Sequence, residues 1–149
     1  MLQKFFLTFL IFFLLQSCSK KELEYEFTDK KENPYTLYEE GYSAFEKGDY
    51  FFAEKKFSEA ELNFENIDLA AKSAIMSSYS LYGINLYTRA LNNLERYLKK
   101  YPADKYVMYA HYLIAIIHYE QISDEKKDLQ PLIDAGIKID FFMKKYPDS

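Results

Sequence analysis

A pattern of small and large residues returns along this chain at a fixed spacing, and this recurrence limits the fold more than any other feature. Tyr50-x2-Ala53-x3-Phe57-x2-Ala60 comes back 37 residues later as Tyr87-x2-Ala90-x3-Leu94-x2-Tyr97, and the same offset carries Gly41 onto Ser78. A third copy is visible where Leu98-Lys99-Lys100-Tyr101-Pro102 returns as Met143-Lys144-Lys145-Tyr146-Pro147, behind Ala135-x3-Ile139-x2-Phe142. A period of this length marks a stacked array, in which each unit buries its apolar face only against its neighbours. The spacing within each copy is helical. Gly41, Ser78 and Ala115 are the small residues of a first helix, and Ala53, Ala90 and Ala135 those of a second. Small residues let the paired helices approach closely. Phe57, Leu94 and Ile139 then fill the space toward the next unit.

Local signals place the helix ends. Asn33-Pro34 offers a capping side chain followed by proline at the first helical position. Asp68 and Asp104 are candidate N-caps for the next two first helices, and Gly48-Asp49-Tyr50 supplies the turn inside the first unit. Pro102 and Pro147 stop second helices, because proline lacks an N–H and its ring clashes with the preceding turn. Helices are predicted at roughly 35–47, 50–64, 69–83, 86–101, 105–122 and 131–145. With only four glycines and four prolines in 149 residues, a turn-rich β fold is disfavoured. These are the marks of the tetratricopeptide repeat, a helix–turn–helix unit ending in A-x3-F…P. The expected fold is all-α, a tetratricopeptide-repeat superhelix with about three repeats, near 34–66, 67–102 and 103–147. The third carries about eight extra residues, around the charged loop Ser123-Asp124-Glu125-Lys126-Lys127-Asp128. Three departures stand out: Glu65 where later repeats have proline, Glu40 where leucine is usual, and Gly136 inside a helix.

The amino terminus bears on location. Lys4 precedes an uninterrupted stretch from Phe5 to Leu15 that is too short for a permanent span, which needs about 20 apolar residues. It fits the core of a signal peptide covering residues 1–17. Leu15-Gln16-Ser17-Cys18 resembles the lipobox of bacterial lipoproteins, and Cys18 is the only cysteine in the chain. The resemblance implies cleavage before Cys18 and lipidation there. A multi-chain lipid anchor is effectively permanent. Ser19, where an aspartate would resemble an inner-membrane retention signal, favours the outer membrane. Residues 18–33 read as a charged tether.

The function classes narrow quickly. Net charge is −4, and no basic cluster suits nucleic acid. His111 and His118 sit seven residues apart, about 10.5 Å along a helix axis, not the four-residue spacing of a two-histidine metal motif. With the one cysteine assigned to lipid, no phosphate loop and the acidic residues expected on solvated faces, neither an enzyme nor a cofactor is expected. The aromatic residues are more telling, at 15 Tyr and 13 Phe. In the register above, the first helices line a concave face with Tyr38, Tyr42, Phe45, Tyr79, Tyr82, Tyr112 and Tyr119, accompanied by Tyr35, Ile75, Tyr109 and Ile116. Tyrosine offers a broad rigid contact and a polar tip, which suits an extended peptide ligand. About half of these tyrosines are expected to pack between helices instead, since such rings bury their apolar bodies readily.

The lipobox, the charged tether, Tyr38-Glu39-Glu40-Gly41 opening the first repeat and Tyr106-Val107-Met108-Tyr109 opening the third together resemble the BamD family. Tyr119-Glu120-Gln121-Ile122-Ser123-Asp124, with its charged loop and Leu-Gln-Pro continuation, is similar to the third repeat of α-proteobacterial members. The resemblance covers roughly residues 35–149. It implies a lipoprotein of the outer-membrane β-barrel assembly machinery, anchored by lipid and facing the periplasm. Its implied partners are the barrel protein BamA, other lipoproteins of that complex and unfolded outer-membrane precursors, whose last strand ends in an aromatic residue. Family members carry about five repeats, so the chain is expected to be truncated at its carboxy-terminal side. The alternative is a repeat lipoprotein serving another envelope machine, as a secretin pilotin does.

Overall fold

Asn33 begins the first helix as its spacing predicts: its side chain accepts from Tyr35 N at 2.9 Å, and Pro34 takes the first helical position. The computed structural model describes residues 32–122 and 129–149. The signal peptide, Cys18, nearly all of the tether and the charged loop at 123–128 lie outside the described residues. Six helices follow in order: α1 (Pro34–Glu46), α2 (Tyr50–Asn63), α3 (Ile67–Gly83), α4 (Tyr87–Lys100), α5 (Val107–Glu120) and α6 (Gln130–Lys145). No strand occurs among the described residues.

Each helix packs against the one before and after it, and α3 also touches α5, so the chain forms a stacked series of hairpins. The repeat is visible even in the turns. Gly48 ends α1 at φ 78°, and Asn85, 37 residues on, ends α3 at φ 58°. Both take the left-handed conformation that glycine adopts freely and asparagine tolerates. Each turn closes on the preceding helix, with Asp49 N bonding Ala44 O at 2.9 Å and Leu86 N bonding Leu81 O at 3.0 Å.

The small residues sit where close approach requires them. Gly41, Ser78, Ala115, Ala53, Ala90 and Ala135 are all buried. A Cβ placed on Gly41 would lie 3.0 Å from the Phe57 ring. We expect Gly41→Val to destabilise the protein by about 2 kcal/mol or more, since added methyl groups overpack a filled seam; chemical denaturation of wild type and variant would measure it. Phe57 and Leu94 are fully buried as expected, whereas Ile139 is 38% exposed on α6.

One departure from the repeat pattern acquires a partner, and a second is accommodated by its neighbours. Glu40 pairs with Lys56 at 2.7 Å. Glu65 needs no proline beside it, because Asn63 Nδ2 bonds back to Glu59 O at 2.8 Å and the next helix is capped at once. Nothing in the structure explains Gly136, which is exposed with open space around it.

Three expectations need correction. The cap of α3 is Asn66, whose Oδ1 accepts from Asp68 N and Leu69 N; Asp68 lies in the first turn, where its charge faces the positive end of the helix. Asp104 does not cap α5, which has no side-chain cap. It holds the turn before it, accepting from Tyr106 N at 3.0 Å and from the Tyr97 hydroxyl. The acidic residues are also not all on solvated faces. Glu61 is 4% exposed, with its carboxylate held by Arg96 at 2.6 and 2.7 Å, Lys100 at 3.0 Å and the Tyr101 hydroxyl at 2.9 Å. This network joins α2 to the end of α4, clamping the first hairpin to the second.

Four serines, Ser73, Ser77, Ser78 and Ser80, are fully buried in α3. Ser73, Ser78 and Ser80 each donate to the carbonyl four residues back, at 2.9 Å, and Ser77 bonds Ser58 at 2.9 Å. Satisfied in this way they act as small spacers, and α3 fits between α2 and α4 without stranding a polar group.

Candidate peptide-binding groove

The first helices of the three hairpins are α1, α3 and α5, and their packing brings aromatic residues into one row. Phe45 on α1 lies 5.4 Å from Tyr79 on α3, ring centre to ring centre, and Tyr79 lies 6.2 Å from Tyr109 on α5. The row extends from Tyr109 to Tyr112 at 6.2 Å and on to Phe142 of α6 at 5.8 Å. A branch runs from Tyr79 to Tyr82 at 5.8 Å and to Tyr87 at 6.2 Å. All these rings are tilted against one another, as aromatic quadrupoles prefer over a stacked sandwich.

Beside the row lies an open cleft of about 380 Å³. Its walls are Phe45, Ile75, Met76, Tyr79 and Tyr109, with Lys72 and Tyr106 as its polar members. The Lys72 ammonium stands 5.0 Å from the centre of the Tyr38 ring. Hydrogen bonding to Tyr38 raises the Lys72 pKa above its ordinary value, and this outweighs the opposing effect of partial burial. Lys72 is therefore charged at neutral pH. Among the described residues it forms no ion pair with a carboxylate. Burial first, then Tyr79 and Tyr112, push the Tyr109 hydroxyl up to about 12, so it remains a neutral donor.

The residues expected at the groove fall in different places. Phe45 and Tyr79 are in the row. Tyr38 is half-buried and leans on Phe57, 5.3 Å away. Tyr42 is 45% exposed near Tyr38 and Lys72, its hydroxyl pKa raised chiefly by Glu46. Tyr82 has its hydroxyl committed: it donates to Glu120 at 2.7 Å, and Tyr87 donates to the same carboxylate at 2.9 Å, tying α3 and α4 to the end of α5. That bond to Glu120 raises Tyr82 to about 12. Tyr112 is exposed yet still reaches Phe142, while Tyr119 is 60% exposed and makes no ring contact among the described residues.

Lys72, Met76 and Tyr106 were not among the residues expected to line the cleft. Lys72, Ile75, Met76 and Tyr79 follow at i, i+3, i+4 and i+7, one helical face, so the spacing alone places Lys72 beside the two expected members. His111 and His118 stay apart from any ligand cluster; burial lowers the pKa of both, and His111 packs against Phe141 with ring centres 5.0 Å apart. Among the described residues no group of three or more metal-ligating side chains comes together, and no helix is long and apolar enough to cross a membrane.

A family model described as YfiO, outer membrane lipoprotein, matches residues 30–149. The chain belongs to this family, that of BamD. The family's curated relatives include the outer membrane protein assembly factor BamD of Caulobacter vibrioides, 28% identical over 113 residues that make up 76% of this chain and 37% of the relative. The protein of the same name from Rickettsia prowazekii is 26% identical over 114 residues, 76% of this chain and 45% of the relative. The chain spans less than half the length of these two relatives. The matched region takes in every helix that contributes to the aromatic row, so the row belongs to the part of the chain that the family shares.

Proposed function

We propose that this chain is the amino-terminal repeat module of an outer-membrane protein assembly factor, anchored by lipid at Cys18 and facing the periplasm. In this reading its first-helix groove receives unfolded β-barrel precursors and passes them to a BamA-like barrel protein within the assembly complex. The observation that carries it is the aromatic row: rings from three successive first helices, 5.4 and 6.2 Å apart, beside an open apolar cleft. Such a surface fits an extended strand bearing aromatic side chains, which is what an unfolded outer-membrane precursor offers. The family's description as outer membrane lipoproteins and the relatives' names support the location and the process. No catalytic step is required, since binding and release suffice.

The test is copurification from detergent-solubilised envelopes, using the gene with a carboxy-terminal tag and identifying bound proteins by mass spectrometry. Recovery of the central barrel-assembly protein is expected. Recovery of a secretin instead would transfer the module to another envelope machine. At the groove itself, Tyr79→Ala is expected to weaken capture of an aromatic-bearing extended peptide about tenfold or more, as loss of a central aromatic anchor does. Fluorescence anisotropy with a labelled peptide would measure it, and unchanged affinity would move the binding surface elsewhere.

A further inference from the structure

Both histidines of α5 look onto lysines of α6. His111, Ala115 and His118 follow at i, i+4 and i+7, one helical face of α5. Ala135, Lys138, Phe142 and Lys145 form a matching face of α6 at i, i+3, i+7 and i+10. Ala115 and Ala135 are the buried small residues of these faces, and the two helices pack together. The His111 ring lies against Phe141 and Tyr146, with ring centres 5.0 and 6.0 Å away, and its Nε2 stands 3.2 Å from Lys145 Nζ. A lysine ammonium has donors only, so Nε2 accepts, and the ring is neutral with its proton on Nδ1. Lys145 also stands 5.3 Å from the Phe141 ring centre and 5.5 Å from that of Tyr146. It pairs with no carboxylate among the described residues, and the nearby Asp140 is engaged by Lys144 at 2.7 Å.

We propose that the α5–α6 joint is an acid-released latch, in which protonation of His111 sets two cations against each other and loosens α6 from α5. The incoming proton goes to Nε2, so Lys145 loses its acceptor and faces a like charge 3.2 Å away. The charges that act on His111 are Lys145 first and Lys138 second, both from α6. Helices α3 and α4, which also pack against α5, bring no charge to bear on it; Tyr146 is the other titratable group against the ring. Burial, then these two lysines, hold His111 below its ordinary value of 6.5. A histidine whose folded pKa is lowered stabilises the fold fully above 6.5, and that stability is lost as pH falls through 6.5 toward the folded value. His118 is the weaker sensor. Burial and Lys138 oppose its charge, but Asp134 of α6 and Glu95 of α4 favour it. Phe142, the α6 end of the aromatic row, lies 5.8 Å from Tyr112 and leaves with its helix. Acid therefore shortens the row at its third hairpin.

The experiment is native-state hydrogen exchange on the full chain in detergent, at about pH 7.5 and about pH 5.5, either side of an ordinary histidine. Rates are corrected for the intrinsic effect of pH on exchange. Amides of α6 in the wild type are expected to lose about threefold or more in protection at the lower pH, the scale of a half-exposed charge contact. Those of α4 should hold theirs. His111→Gln offers Lys145 an acceptor that cannot titrate, and should abolish the loss. Lys145→Met removes the second cation, so it should blunt the loss and raise the His111 pKa toward 6.5, read from the ring resonances by nuclear magnetic resonance. Should His111→Gln already release α6 at the higher pH, the Lys145→Met comparison decides alone. Equal protection of α6 at both pH values in the wild type would overturn the latch. An undiminished loss in Lys145→Met, with the His111 titration unmoved, would overturn the His111–Lys145 contact as its cause.

Discussion

Truncating Phe57 to alanine is expected to cost about 3–5 kcal/mol, the range for removing a fully buried aromatic side chain and leaving a cavity. Phe57 has no exposed surface, and the buried members of its cluster are otherwise only Ala44 and Ala53. Its ring fills the space above Gly41 and supports Tyr38 from below. Because hairpins in a stacked array contact mainly their neighbours, the loss should be local at first. Hydrogen exchange should lose protection in α1 and α2 while α4 and α5 keep theirs. A uniform loss across all six helices would instead mean that the array unfolds as one unit. The same variant should also weaken the proposed peptide capture, because Tyr38 and the Lys72 above it lose their support together.

Replacing Glu61 by alanine should cost about 2–4 kcal/mol, less than a sealed ion pair would. Arg96 and Lys100 are each nearly half exposed and can return to water. The buried Tyr101 hydroxyl cannot, and losing its acceptor carries the penalty of an unsatisfied buried group. The effect depends on pH in a defined direction. Burial pushes the Glu61 carboxyl up, but hydrogen bonds from Arg96, Lys100 and Tyr101 outweigh it and hold the group below its ordinary value of 4.5. A carboxylate with a depressed folded pKa gives its full stabilisation at neutral pH and loses it as pH falls below 4.5 toward the folded value. Thermal unfolding of wild type should therefore fall more steeply on acidification than that of Glu61→Ala, the two curves converging at low pH. Parallel curves would show that the cluster contributes through packing alone.

The helices were legible because three kinds of signal coincide in them: the 37-residue recurrence, the small residues at helix crossings and the capping asparagine and proline. Where only one signal was present the reading slipped. Asp68 and Asn66 are both good caps, two residues apart, and only the path of the chain out of α2 decides that Asn66 takes the role. Asp104 sits one turn early because Tyr97 and the turn after Pro102 claim its side chain. Glu61 could not be recognised as buried from its own helix, since its partners Arg96, Lys100 and Tyr101 lie 35 to 40 residues away. Hydrophobic patterning assigns a charged residue to solvent by default, and only the distant basic and hydroxyl groups overturn that.

The aromatic row was legible from the sequence, and the polar residues beside it less so. Phe45 and Tyr79 follow from register, and their spacing on helices of adjacent hairpins makes them meet. Whether Tyr82 presents its hydroxyl outward is decided by Glu120, a residue two helices away that already holds it. A lysine among tyrosines reads as solvated surface in the sequence; that Lys72 instead stands over the Tyr38 ring, with no carboxylate ion pair among the described residues, is a three-dimensional fact.

The row of rings from Phe45 through Tyr79 to Phe142 has an optical consequence, because the chain contains no tryptophan. Its native ultraviolet emission is dominated by tyrosine, and several of the emitting rings line or adjoin the cleft. A ligand bearing one tryptophan would be the only such chromophore in the sample and would drain excitation from the nearby tyrosines as it seats. Occupancy of the cleft can then be followed in the unlabelled protein as a transfer of light from the wall to the guest.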